Sequence, residues 1–125
     1  VDVRIVTPHV PDKRYVHAVT RTYYRALLES GIRIFEYTPG FVHSKTFVAV
    51  YLYAVVGTIN MDYRSLFLHF ECGVWLYNTD SVLSLRDDYV DILASSMEIT
   101  LASLEGITLP RRIAGQFLRI FSPLM

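Results

Sequence analysis

His43 and Lys45 stand two residues apart in the segment Phe41–Thr46, a spacing that on a strand turns both side chains to one face. An imidazole beside an ammonium suits attack on a phosphodiester. The imidazole takes the phosphoryl group covalently while the ammonium offsets the charge growing on its oxygens. Alone, such a pair describes a solvated surface equally well, so the residues that follow decide its meaning. Asn60, fifteen residues beyond Lys45 and just after Gly57-Thr58, adds an amide donor for the same phosphate. Glu71, eleven residues further on, adds a carboxylate able to hold the second nitrogen of His43, which selects the attacking tautomer and stabilises the imidazolium. Four polar groups from three adjacent strands would then meet in one pocket.

The elements that must position them are legible in part. Val3–Thr7 reads as a strand closed by Pro8 and Pro11. Asp12 is placed to cap a helix whose apolar residues Val16, Val19, Tyr23 and Leu27 recur every three to four positions, with Gly31 as its stop. Ile32–Tyr37 follows as a second strand, and strand, helix and strand in this order imply a right-handed crossover between parallel neighbours. Thr46–Met61 holds no charge in 16 residues, short of the roughly 18 to 20 that span a bilayer, and Gly57 and Asn60 interrupt it. A buried hairpin is expected there, yet Val50-Tyr51-Leu52-Tyr53, where the turn must lie, contains no turn-forming residue. Leu66–Tyr77 reads as a further strand, bulged near Cys72-Gly73. Asp80 or Ser81 opens a helix with the stripe Leu85, Tyr89, Ile92, Leu93 and Met97, running to about Ser103. Asp87, Asp88 and Asp91 sit in its first half, where the helix dipole favours them, and call for no metal. After Gly106 and Pro110, Arg111–Phe121 forms a short amphipathic helix, either docked on the body or lying on a membrane surface.

Composition narrows the classes. In 125 residues, 52% are apolar and 19% charged, which suits a domain with a core and argues against disorder. Twelve basic residues balance twelve acidic ones, so net charge offers no case for a nucleic acid partner. The balance hides a segregation: residues 46–105 carry two basic and eight acidic groups, whereas residues 106–125 carry three basic and none acidic. Cys72 is the single cysteine, which excludes an intramolecular disulfide and a cysteine-only metal site, and it reads as a small buried hydrophobe. Trp75 and the tyrosines read as core and rim. His9, in a proline-flanked turn, and His17, on the polar side of the first helix, read as surface groups. No signal-peptide apolar run, repeat, nucleotide-binding glycine pattern or metal-ligand spacing is present.

Phe41-Val42-His43-Ser44-Lys45-Thr46, Val56–Ser65 and His69-Phe70-Glu71 together resemble the second catalytic motif of the phospholipase D superfamily. More narrowly they are similar to the C-terminal part of bacterial cardiolipin synthases of that type. The likeness extends from Val3-Arg4-Ile5 and Thr7-Pro8 through Tyr37–Phe41 to the closing Phe121–Met125. It implies a transferase that moves a phosphatidyl group from one phosphatidylglycerol to another and releases glycerol through a phosphatidyl-histidine intermediate, with no metal and no other cofactor. Members carry two such motifs, each giving His, Lys and Asn to a shared site, and one histidine is phosphatidylated while the other serves as acid and base. This chain holds one motif, so the resemblance implies half of a site, completed by an N-terminal half domain of the same protein or by a homodimer partner. His43 is nucleophile or acid/base, with the lean toward acid/base. The implied setting is the bacterial cell membrane, with the catalytic domain peripheral and no spanning segment within this chain.

One position departs from the pattern. The family motif continues His-x-Lys-x4-Asp, and here the aspartate position is Val50. That replacement also removes the turn chemistry missing from the hairpin, so the hairpin is held by tertiary packing alone or the segment is altered relative to a working enzyme. Around the four central residues, Thr58, Asp62, Arg64 and Ser65 are expected to bind substrate or support the site. Asp62 and Arg64 would pair to brace the glycine loop, or Arg64 would meet a lipid phosphate. His69 shares a strand face with Glu71 by parity. The expected fold is α/β: a phospholipase D-like half domain with a mixed, largely parallel sheet flanked by helices, residues 1–105 forming the catalytic half and residues 106–125 a basic amphipathic tail. Two other functions stay open: a phosphodiester hydrolase or nuclease acting as a homodimer, and a non-catalytic half domain. The acidic balance of residues 46–105 speaks against a nuclease groove, and Val50 is the feature that favours the non-catalytic reading.

Overall fold

A computed structural model describes residues 1–106 and 109–122, the side chains of Leu109, Arg111 and Arg112 excepted. The chain divides into two compact units, Val1–Val42 with Ser95–Met125, and His43–Ala94. Pro123–Met125, the last residues of the family likeness, lie outside the described residues.

In the first unit, strand β1 (Arg4–Pro8), helix α1 (Arg14–Glu29) and strand β2 (Arg33–Tyr37) form the expected sequence, with β1 and β2 parallel. Gly31 leaves the helix at φ +83°, a left-handed conformation that glycine adopts without steric cost. Asp12 does not cap α1. Lys13 occupies the N-cap position and makes no side-chain hydrogen bond, which puts Asp12 one residue too early to receive the first helical amides. The helix proposed to run to Ser103 also ends early. Ser96–Ile99 instead forms strand β3, antiparallel to β2, with Ile99 opposite Ile34. Burial of both isoleucines outweighs the helical periodicity, and Arg33 locks the edge by donating to both oxygens of Glu98 at 2.8 and 3.0 Å. Helix α2 (Leu101–Glu105) follows, capped by Thr100 and Ser103 in a reciprocal pair, and then helix α3 (Leu109–Arg119). Tyr24, Ile34, Ile99 and Leu104 form the core, with Leu27, Leu28 and Ile32 against them.

Inside this unit Glu36 is fully buried. His9 Nδ1 lies 2.8 Å from its Oε2, Tyr24 donates to Oε1 at 3.3 Å, and His17 Nε2 and Arg21 Nε stand 3.9 and 3.7 Å away. His9 and His17 are therefore partners of a buried carboxylate rather than free surface groups. A buried anion must be paired and hydrogen-bonded to be tolerated, and the turn after β1 and one face of α1 supply the pairing. Burial holds the His17 imidazole below its ordinary pKa despite the opposing pull of Glu36, and burial pushes the Tyr24 phenol well up.

The second unit is antiparallel. Strands β4 (Lys45–Ala49), β5 (Tyr53–Gly57) and β6 (Gly73–Tyr77) pair in that order, and helix α5 (Asp80–Ala94) packs on them with Val82 wholly buried. The α/β class with helices flanking sheets stands, but only β1 and β2 pair in parallel among the described strands, so the sheet is not largely parallel. Residues Leu66–Cys72 are not strand. Tyr63–Phe67 forms a short helix, α4, because the Asp62 carboxylate accepts the Ser65 amide at 2.7 Å and so starts a helical turn. Two burial expectations also fail. Cys72 is exposed at the turn into β6, and Trp75 is 68% exposed, in edge contact with Tyr53, which stacks on Tyr77.

The β4–β5 hairpin forms without turn residues. Val50 and Tyr51 take φ 45° and 58°, both in the left-handed region, and Leu52 donates its amide to Ala49 O at 3.1 Å. That is a mirror-image turn, the kind suited to the twist of paired strands. Tertiary contacts hold it: Asn78 donates to Leu52 O at 2.8 Å, and the Arg86 guanidinium of α5 sits 5.4 Å from the Tyr51 ring centre.

Candidate active site

All eight site residues named from the sequence fall within the His43–Ala94 unit. The strand ladder begins at Lys45, opposite Gly57, so His43 lies before β4 instead of sharing the strand with Lys45. On the other side of β5, the Thr58 amide carries the contact with the approach to β6 one residue further, to Cys72 O at 2.9 Å. The two residues are tied differently: the Lys45 ammonium donates to the His43 carbonyl at 2.7 Å. An ammonium has three N–H donors, so this bond fixes the backbone of His43 and leaves capacity for a phosphoryl oxygen. The His43 side chain is exposed.

Glu71 is the centre of the remaining network. Thr58 donates to its Oε2 at 2.5 Å, the Ser65 hydroxyl bonds it as well, and His69 Nδ1 lies 3.9 Å from its Oε1. The hydrogen bond from Thr58, then that from Ser65, hold the Glu71 carboxyl below the ordinary carboxylate value, with His69 and Lys45 adding attraction. Asn60 reaches the same network by donating from Nδ2 to Ser65 Oγ at 3.3 Å. Asn60, Ser65, Glu71 and Thr58 thus form one chain of contacts, and the charge of Lys45 is felt at Glu71.

Local chemistry explains the convergence. Gly57 permits it: a Cβ there would collide with the Cys72 carbonyl and stand 2.7 Å from Gly73 Cα, so only glycine lets β5 and the approach to β6 come this close. Thr58 then clamps Cys72 twice, by its amide to O and by its hydroxyl accepting the Cys72 amide at 3.0 Å. Helix α4 supplies Ser65, which is buried.

The expected Asp62–Arg64 pair does not form. Asp62 is committed to the Ser65 amide, and Arg64 Nε donates to His69 Nε2 at 2.6 Å. His69 thus spans Arg64 and Glu71 from the chain after α4, not from a strand face. The sequence reading missed the part played by Ser65 as the relay between Asn60 and Glu71; the capping pattern Asp62-x-x-Ser65 was the available signal. It also missed Glu36, whose burial between Phe35 and Tyr37 in β2 leaves no mark in local sequence. Among the described residues no group of three or more His, Cys, Asp or Glu is placed to hold a metal ion, and no helix is long and apolar enough to cross a membrane.

Residues 1–92 match the family described as cardiolipin synthase, phospholipase D-like domain. Over all 125 residues the chain is 42% identical to cardiolipin synthase 2 of Bacillus anthracis and 41% identical to cardiolipin synthase of Alkalihalophilus pseudofirmus, covering 24% and 25% of those proteins. It is also 42% identical to an uncharacterized protein of Streptococcus mutans, covering 27% of it. The chain therefore spans about a quarter of the length of the curated relatives it matches. No solved structure matches it. With the family match covering well over half of the chain and the relatives aligning over the whole of this chain, it belongs to the phospholipase D-like domain family of cardiolipin synthases.

Proposed function

We propose that this chain supplies one half of a phosphatidyltransferase site that makes cardiolipin from two phosphatidylglycerol molecules. The observation that carries the reading is the single network linking Asn60, Ser65, Glu71 and Thr58 beside the His43–Lys45 pair. In the reaction, an imidazole nitrogen forms a bond to phosphorus as the bond from phosphorus to the glycerol oxygen breaks, and a second imidazole gives its proton to the departing glycerol. That second imidazole then takes the proton of the incoming phosphatidylglycerol hydroxyl, which attacks phosphorus and frees the first. His43 fills one of these two roles, with the acid/base role favoured; the other histidine belongs to an N-terminal half domain of the same protein or a homodimer partner. Lys45 and Asn60 bind the phosphoryl oxygens. Glu71 positions the imidazole, and Thr58, Asp62, Arg64 and Ser65 support it. Residues 1–105 act as the catalytic half and residues 106–125 as a basic extension, with the catalytic domain peripheral to the bacterial membrane.

The test is product analysis on the full encoded protein in lipid micelles with labelled phosphatidylglycerol. Cardiolipin plus glycerol is the expected outcome. Phosphatidic acid alone would replace the transferase by a hydrolase. A folded protein that yields neither would make this chain a non-catalytic half domain, the reading that Val50 favours.

A further inference from the structure

Helices α1 and α3, with Leu104 of α2, line an open cavity of about 610 Å³ within the first unit, a volume in the range of small-molecule sites. Helix α1 contributes Arg14, His17, Arg21 and Arg25 to its wall, positions three to four apart and so on one face of the helix. In a chain of zero net charge, α1 and α3 together carry six arginines and one glutamate. That glutamate, Glu29, lies 3.6 Å from Arg25. Glu36 approaches Arg21 and His17 from behind the wall, at 3.7 and 3.9 Å. These are ion-pair distances too long for hydrogen bonds, and among the described residues Arg21 Nε and His17 Nε2 are buried with no hydrogen-bond partner. The wall is thus cationic, with Glu36 drawing the inner nitrogens of Arg21 and His17 toward itself and leaving Arg14 and Arg25 as its more exposed charges.

The opposite wall is built to approach closely. A Cβ on Gly115 would stand 2.8 Å from Thr22 Cγ2, so glycine lets α3 seat against α1. Arg119 covers the Tyr23 ring at 4.1 Å and fixes the far end. On its other side α3 leaves Ile113 and Phe117 exposed, each at 62%, and Ile120 just beyond it at 70%. Apolar side chains turned outward from an amphipathic helix suit a lipid surface.

We propose that this cavity binds a phosphate-bearing anion, and that the occupant is the headgroup phosphate of a lipid at the bilayer on which α3 rests. Guanidinium groups match phosphate oxygens in geometry and charge, and the exposed apolar residues of α3 favour the lipid over a soluble phosphate. The inference does not rest on the transfer chemistry proposed for the His43 site, with which the cavity shares no residue.

Binding of the full encoded protein to phosphatidylcholine vesicles with and without phosphatidylglycerol tests it, with inorganic phosphate titrated separately. Arg14→Gln/Arg25→Gln should weaken retention on the anionic vesicles by roughly thirtyfold. Ala114→Phe, which fills the cavity and leaves every charge in place, should weaken it comparably while circular dichroism stays that of the unmodified protein. Loss in the arginine variant with full retention in Ala114→Phe would overturn the cavity in favour of diffuse surface attraction. Saturable inorganic phosphate binding that both variants abolish, with vesicle retention unchanged, would overturn the lipid as occupant. Equal vesicle binding by all three proteins, with no phosphate binding, would overturn the site altogether.

Discussion

Val50 stands at the aspartate position of the motif that this segment resembles, and its backbone is left-handed. A φ of 45° costs a β-branched residue on the order of 1–2 kcal/mol, whereas Asn and Asp visit this region readily. Val50 is 71% exposed, so no packing compensates. Val50→Asn should therefore raise stability by about 1 kcal/mol in urea unfolding; an unchanged midpoint would mean that the turn is unstrained. The misfit was legible in the sequence as a hairpin lacking turn chemistry, because turn preference is a local property. Glu36 was not legible, because its role depends on His9, Tyr24, His17 and Arg21 arriving from other elements. Glu36→Ala should cost about 2 kcal/mol, since it leaves the buried Tyr24 hydroxyl and the inner nitrogens of His17 and Arg21 without their acceptor. His17 adds a pH dependence of definite sign. Its pKa is lowered on folding, so its environment is fully tolerated above the ordinary imidazole value of 6.5, and stability falls as the pH drops from there through the lowered value.

At the scale of elements, the site depends on a short helix that periodicity did not reveal. Five residues are too few for a helical stripe, and the apolar run after Ser65 reads as a strand until Asp62 is seen capping it. Asp62→Ala removes that cap and should lower stability by about 1 kcal/mol, and with it the placement of Ser65 between Asn60 and Glu71. The same logic explains the early end of α5. The stripe through Met97 continues a helical period, but pairing with β2 buries Ile99 and employs Glu98, gains visible only once β2 is in place. Elements fixed by local signals, namely β1, α1 with its Gly31 stop and the β4–β5 strands, were read correctly from sequence. Glu71 belongs to this scale too, because Thr58 and Ser65 reach it from two different elements. Its lowered pKa means that its bonds stabilise the fold above the ordinary carboxyl value of 4.5 and are lost as the pH falls through the lowered value. Acid unfolding of Glu71→Gln should accordingly show a weaker pH dependence below 4.5 than the unmodified protein.

For the whole molecule, candidate residues could be named from the sequence because the chemistry proposed for them restricts residue type and spacing, and the fold gathers all eight in one unit. The contacts among them were less legible: the strand shared by His43 and Lys45 gave way to a backbone bond, and the Asp62–Arg64 pair to two separate partners. Both corrections leave the chemical roles proposed for the site intact, since Lys45 keeps free donors and Glu71 stays ionised. The sharpest measurement is turnover of labelled phosphatidylglycerol by the full encoded protein beside its His43→Ala variant, matched for folding by circular dichroism. Loss of cardiolipin formation by about a thousandfold or more in His43→Ala is the expected result. Cardiolipin formed at equal rates by both proteins would contradict the assignment of His43, and with it the site built around it.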